Sequence, residues 1–254
     1  MRASQGLPEL PGGEMKVASA SAAAKKSASS QLDLKFRQWG GARAGAGRKR
    51  TSRRIPHRKR PPLAARFPAH VTLTVHKHLP NLRGCMDVFR KAFAAGAKRE
   101  GFRLVHFSVQ RHHIHLVVEA NDSAALSRGI QGLCRRIASG LNKSWGGRRG
   151  SVFSDRYHLR ILKTPQEVRR VLSYVLQNAR KHYAQQGRVV ERRWLDPCSS
   201  ARYFDGWIDR PFRPPADDPP LVVPPKTWLL SIGWRRHGLL SIEGERTGEA
   251  KRTG

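Results

Sequence analysis

His113-Ile114-His115 and Tyr174 with Asn178 are the residues of this chain whose types and spacing can do chemistry. On a strand, side chains alternate faces, so His113 and His115 point one way while Ile114, Leu116 and Val118 point the other. Two imidazoles on neighbouring same-face positions can share one metal ion. The competing reading is a polar strand face: with 11 histidines in 254 residues, chance alone supplies about half an H-x-H. A second pair does exist, His76-Lys77-His78, but it lacks an apolar central residue to anchor a strand and sits at a strand end. Tyr174 and Asn178 are four apart, so on a helix they stack along one flank of the stripe Val168, Val171, Leu172, Val175 and Ala179. That place suits a nucleophile facing a cleft. It equally suits a tyrosine packing its ring at the core's edge beside an exposed amide, and periodicity does not choose between them.

The elements that must position these residues are legible from His70 onward. His70-Val-Thr-Leu-Thr-Val-His76 alternates and is β-branched, predicting a first strand broken by Pro80-Asn81. Apolar residues at helical spacing from Met86 to Lys98 predict a helix. Phe102–Val109 and His113–Val118 read as a second and a third strand, joined tightly through Gln110-Arg-His112. Asn121-Asp-Ser offers a cap for a helix over about Ala124 to Lys143, and Trp145-Gly-Gly-Arg-Arg-Gly150 is a glycine-rich loop. Tyr157–Leu162 is the expected fourth strand. Thr164-Pro165-Gln166-Glu167 then caps a helix reaching about Tyr183. The order β-α-β-β-α-β-α predicts an α+β domain over residues 67–185, a ferredoxin-like split βαβ unit with an added helix.

Charge narrows the partner. Lys and Arg number 49 against 18 Asp and Glu, a formal net charge of +31. Residues 67–210 alone hold 26 basic and 10 acidic side chains, so the excess is not confined to a tail. Such a surface repels itself unless a polyanion neutralises it, and nucleic acid is the expected partner. Residues 1–66 are rich in Ala, Gly, Ser, Arg and Lys and are expected to be a disordered arm. The arm is densest from Arg48-Lys49-Arg50 to Arg58-Lys59-Arg60, read either as a phosphate-binding segment or as a solubilising tail. Residues 186–254 turn irregular and Pro-rich, and read as an extension or docking segment. Cys85, Cys134 and Cys198 form no C-x-x-C pair and suit a reducing compartment. With no apolar h-region or bilayer-length apolar run, a soluble cytoplasmic protein without a membrane partner is the expectation.

Taken together and in order, the motifs resemble the HUH superfamily of single-strand endonucleases. Within it they are similar to the single-tyrosine transposases, above all the REP-associated tyrosine transposases. Gln110-Arg-His-His-Ile-His-Leu-Val-Val118 resembles the family's strand ending in N-H-V-H-L. Val152-Phe-Ser-Asp-Arg-Tyr-His158 resembles its F-W-Q-R-x-Y segment, and Ser173–His182 its Y-I-H-x-N-P-V-K-H helix end. His112 stands where the family has Asn, and Ala179 where it has Pro, a loss that lets the helix continue. The resemblance implies a nucleoid-associated bacterial transposase, monomer or homodimer, that acts on single-stranded or hairpin DNA in transposition or repeat mobilisation. It implies that His113, His115 and Asn178 hold a Mg²⁺ or Mn²⁺ ion. It also implies that Tyr174, on a catalytic helix, attacks the phosphate to leave a 5′-phosphotyrosine and a free 3′-OH. Trp145, Arg148, Arg149, Arg156 and Tyr157 are the expected grip on the strand and its unpaired bases.

Two other readings use the same fold. A non-catalytic single-strand or hairpin-binding module is one, since ferredoxin-like sheets also bind RNA, although no aromatic pair of that kind appears on the strands. A metal-dependent phosphohydrolase using water in place of Tyr174 is the other.

Overall fold

Strand β4 (His113–Ala120) runs through the middle of a five-stranded antiparallel sheet, and its alternation decides what each face can become. The computed structural model describes residues 60–209 and 221–243. Its sheet has the order β2 (Lys98–Arg99), β3 (Phe102–Val109), β4, β1 (Ala69–Thr74), β5 (His158–Ile161). β4 pairs with β1 on one side and β3 on the other, antiparallel to both, so β1 and β3 run parallel with β4 between them. The molecule is an α+β fold.

One face of the sheet is apolar throughout. Val71 and Leu73 of β1, Leu104 and Phe107 of β3, and Ile114, Leu116 and Val118 of β4 are all buried in one core. Helices α1 (Met86–Gly96) and α2 (Ser123–Ser144) cover it, contributing Phe89, Phe93, Leu126, Ile130 and Leu133. Asp122 caps α2 by accepting from the Ala125 amide at 2.7 Å. Gly129 lets α2 approach this closely, since a Cβ there would stand 2.3 Å from the Phe102 ring.

The other face mixes apolar and polar groups. Val105 and Val117 meet α3 (Pro165–Gln185) through Val168, Leu172, Val175 and Leu176. The segment after α3 completes this second core with Phe204, Trp207, Leu230, Trp234 and Ile242. Here the chain is less irregular than its composition predicts. It forms two 3-10 turns, Ser200–Tyr203 and Gly233–His237, and the short helix α4 (Trp228–Ser231). Glu119 fastens it by accepting from the Lys226 and Thr227 amides and the Thr227 hydroxyl at 2.8–3.0 Å.

Element ends differ from expectation at several places; β4 runs on to Ala120 and β5 spans only His158–Ile161. β1 stops at Thr74, because Val75 leaves to bridge Phe153 and donates to the His112 carbonyl. α1 stops at Gly96, because Lys98 and Arg99 pair with Arg103 and Phe102 as an edge strand. α3 runs two residues past Tyr183, to Gln185. The three cysteines are free. Among the described residues, no helix is long and apolar enough to cross a membrane. The expected arm, residues 1–66, lies outside the described residues apart from its last seven.

Candidate active site

His113 and His115 share the second face of β4, as alternation requires, with ring centroids 4.8 Å apart. The register sets Thr74 beside His113 and Thr72 beside His115, with His70 two residues further along β1 on the same face. Val71 and Leu73 face the apolar core, so His70, Thr72 and Thr74 are turned toward the histidine pair. His115 Nδ1 lies 3.1 Å from His70 Nε2 and 3.2 Å from Thr72 Oγ1. Its Nε2 lies 3.3 Å from the Tyr174 hydroxyl. One imidazole therefore joins a sheet-side pair of polar groups to a helix-side phenol. A proton on Nδ1, directed at His70 and Thr72, leaves the Nε2 lone pair facing Tyr174.

Tyr174 is held there by its helix. The Thr164 side chain accepts from the Glu167 amide, Glu167 accepts from the Thr164 amide, and Pro165 opens the first turn. That box fixes where α3 starts, and the buried stripe Val168, Leu172, Val175 fixes its rotation. The result leaves Tyr174 45% exposed, with its hydroxyl over His115 and its ring edge-on to that imidazole. It is a reachable hydroxyl beside buried imidazoles, rather than a ring sealed in the core.

Asn178, one turn on, differs from the exposed amide that periodicity allows. It is 3% exposed, and its Nδ2 has no hydrogen-bond partner. A buried polar atom left unpaired costs about 1–3 kcal/mol. A half-turn of the carboxamide exchanges its nitrogen and oxygen, which lets Asn178 offer an oxygen instead. α3 continues unbroken through Ala179, as the missing proline permits.

The histidines are held neutral. Burial, then the neighbouring His113, His70 and His182, pushes His115 down to about 3. Burial, then His158 and Arg160, pushes His70 down to about 4. His113 is lowered by burial and by His182 and His112. Neutral imidazoles keep lone pairs free for a cation at pH 7. Among the described residues no cluster of three or more His, Cys, Asp or Glu side chains is disposed to hold a metal. The buried Asn178 amide lies one turn of α3 beyond Tyr174. His70 Nε2 is turned to His115 Nδ1. All but Asn178 line a cavity of about 570 Å³, joined by His158 and Lys77.

The other expected contacts are dispersed. Tyr157 and Trp145 pack against the helix-covered core, and Tyr157 Oη lies 3.4 Å from Ser127 of α2, on the opposite side of the sheet from Tyr174. Arg148 ties the glycine-rich loop, donating to Asn142 Oδ1 at 3.0 Å and to the Gly150 and Ser151 carbonyls. Arg149 is exposed and Arg156 half-buried. Arg60 stacks 3.6 Å over the Tyr157 ring and donates to its carbonyl at 2.7 Å. Arg48, Lys49, Arg50, Arg58 and Lys59 lie outside the described residues. The roles of His70 and Thr72 beside His115 were missed from sequence. The period-2 pattern His70-x-Thr72-x-Thr74 was the signal that could have found them.

Residues 66–178 match the family model described as "Transposase IS200 like", a span holding His113, His115, Tyr174 and Asn178. Over that span, somewhat under half of its length, the chain is similar to the IS200-like transposases. Among solved structures it is similar to a REP-associated tyrosine transposase bound to a REP hairpin, at 15% identity and a TM-score of 0.43, covering 57% of this chain and 82% of that one. It is also similar to a putative transposase from Deinococcus radiodurans R1, at 14% identity and a TM-score of 0.33, covering 48% and 92%. No curated protein matches.

Proposed function

We propose that this chain cuts and rejoins single-stranded or hairpin DNA through Tyr174, on a ferredoxin-like sheet of the HUH type with α3 as its catalytic helix. The observation that carries the proposal is the Tyr174 hydroxyl, accessible and 3.3 Å from Nε2 of a buried, neutral His115. His113, His115 and Asn178 are the residues that would hold a Mg²⁺ or Mn²⁺ ion, which supplies polarisation of the scissile phosphate and eases loss of the phenol proton.

The remaining work falls to side chains of this chain. His70 and Thr72 hold the His115 ring so that its Nε2 faces the cleft. α3 holds the Tyr174 oxygen at the sheet surface, where a phosphate entering the cavity meets it. The phenol gives up its proton, which free tyrosine does only near pH 10, and its oxygen bonds to phosphorus. The bond from phosphorus to O3′ breaks, and O3′ leaves with a proton as a free 3′-OH. The 5′-phosphotyrosine keeps the ester energy, so a 3′-OH can later attack it and release Tyr174 without a nucleotide cofactor. Transposition or repeat mobilisation needs such a reversible step.

The test is incubation of labelled single-stranded hairpin libraries with the full chain and Mn²⁺, followed by denaturing electrophoresis. A covalent protein–DNA adduct lost in Tyr174→Phe supports the proposal. Cleavage without an adduct moves the reading to a water-using phosphohydrolase, and binding without cleavage moves it to a non-catalytic module.

A further inference from the structure

The cavity under Tyr174 is a poor electrostatic anchor for DNA. Its lining holds one lysine or arginine, Lys77, among five histidines. A second cavity, of about 500 Å³, lies at the other end of β4 and has the opposite character. Arg66, Lys98, Arg99, Arg103 and Lys226 line it, with Glu119 as its single acid. That carboxylate is already committed to the Lys226 and Thr227 amides, the Thr227 hydroxyl and Arg103. Among the described residues Arg66, Lys98, Arg99 and Lys226 make no ion pair, while Glu100 on the neighbouring turn stays exposed.

The chain crowds these charges by construction. The Arg99 guanidinium lies 2.3 Å from where a Cβ on Gly132 would stand, and Arg136 lies 3.3 Å from the same point. Both guanidinium groups thus lie over the same glycine of α2. Arg136 donates to the Gly132 carbonyl, and nothing described neutralises Arg99. Like charges held this close are costly unless an anion sits between them. Trp228 follows Lys226 and Thr227 directly and is 46% exposed, with the Arg236 guanidinium 4.9 Å from its ring. Cations beside a half-exposed aromatic ring suit a phosphodiester chain carrying bases, since the phosphates take the charge and a base can stack.

We infer that this cavity is a second DNA site, which holds the backbone phosphates of the strand whose scissile phosphate lies at Tyr174. It deepens the proposed cleavage reading and rests on it only for the identity of the DNA. Five or six residues of β4 separate His115 from Ala120 and Asn121, roughly 16–20 Å at about 3.3 Å per residue. The strand is thus gripped several nucleotides away from where it is cut. Charge and chemistry are divided between the two ends of one strand of the sheet.

The probe is dT25, bound to the full chain across a salt series, because a backbone site needs no sequence. Lys98→Gln/Arg99→Gln is compared with Arg90→Gln/Lys91→Gln, which removes the same charge from exposed positions on α1, with circular dichroism confirming the fold of both. Each lost contact to a single strand removes about 0.7 from the log–log slope. The expected result for the β2 pair is a slope shallower by about 1.4 and affinity roughly ten- to thirty-fold lower at 0.1 M salt, with the α1 pair near wild type. Equal losses in both variants, or no loss in either, overturn the inference. So does displacement of dT25 by an equally long polyglutamate at the same concentration as by unlabelled DNA. A wild type that forms no adduct while the β2 pair still loses slope sinks the cleavage reading and leaves this site standing.

Discussion

His76-Lys77-His78 and His113-Ile114-His115 have the same spacing, yet the fold gives them different surroundings. The rings of the first pair lie 5.4 Å apart and nearly parallel, just past the end of β1, with His76 half-buried and His78 exposed. The rings of the second lie 4.8 Å apart and nearly perpendicular, on a strand paired along both edges. Ile114 and Lys77 make the difference. Ile114 is buried in the core and fastens the backbone between the two imidazoles, whereas Lys77 turns toward the cavity and fastens nothing. The fastened pair gains neighbours at fixed distance: His70 and Thr72 on one side of His115, and Tyr174 on the other. Spacing proposes a ligand pair, and the residue between the ligands decides whether it is rigid enough to be one.

Removing the fastened pair should have the largest effect. His113→Ala or His115→Ala is expected to lower adduct formation on the order of 10³-fold, the size of several kcal/mol of lost charge stabilisation. Single-turnover gels with Mn²⁺ measure it. Retention of more than a tenth of wild-type rate by both variants places the site elsewhere.

His106 separates burial from function. It is buried against Phe204, with Nδ1 3.3 Å from Ser200 Oγ, and desolvation pushes it down to about 3. In the unfolded chain it titrates near 6.5, so between these values the unfolded state binds the extra proton. Its contribution to stability is full above pH 6.5 and is lost as pH falls toward 3. By pH 4.5 the loss reaches up to about 2–3 kcal/mol. His106→Leu should therefore flatten the acid limb of urea-midpoint stability between pH 7 and 4.5 and leave the adduct rate at pH 7 within a few-fold. An acid limb identical to wild type would falsify that account of His106.

What sequence could show divides along the same physical line. The alternation of His113–Val118, the helix cap at Asp122 and the Thr164–Glu167 box are local, and each stands where its pattern predicts. Pairing register is not local, so His70 and Thr72 could be assigned to a strand but not to His115. Asn178 sits where periodicity allows an exposed amide, and its burial depends on what packs beside α3. The segment after Trp194, read as an extension or docking segment, was the least legible in detail. Phe204, Trp207 and Trp234 follow neither a helical nor a strand period, yet all are buried against a face of the sheet that the first 185 residues leave partly uncovered.

An intermediate effect is expected at His70, the neighbour that the first pair lacks. Orienting partners of a metal-holding histidine are typically worth 10–100-fold in affinity. His70→Ala should weaken Mn²⁺ binding by about that factor in a titration followed by electron paramagnetic resonance, and His70→Gln, which keeps an acceptor on that side, should recover part of it. Thr72 remains in reach of Nδ1, so complete loss is not expected. Unchanged Mn²⁺ affinity in His70→Ala removes the orienting role.

The smallest effect belongs to the first pair itself. His76 and His78 stack on each other past the end of β1, and neither approaches Tyr174 or Asn178 among the described contacts. His76→Ala/His78→Ala removes one half-buried and one exposed ring, neither of them part of either core. Surface changes of this kind fall within about ±0.5 kcal/mol, so stability, Mn²⁺ affinity and adduct rate should each stay within about two-fold of wild type. Lys77 is kept in that variant because it lines the cavity; its replacement would confound a histidine test with a phosphate contact. The sharpest form of the comparison exchanges the central residues. Ile114→Lys places a charge in the core, where an unpaired cation is strongly disfavoured, and should unfold β4 before any loss of metal can be read. Lys77→Ile, which leaves His76 and His78 past the end of β1, should create no second Mn²⁺ site. A second site in Lys77→Ile would mean that an apolar centre alone suffices, and that strand pairing contributes less than the contrast between the two pairs implies.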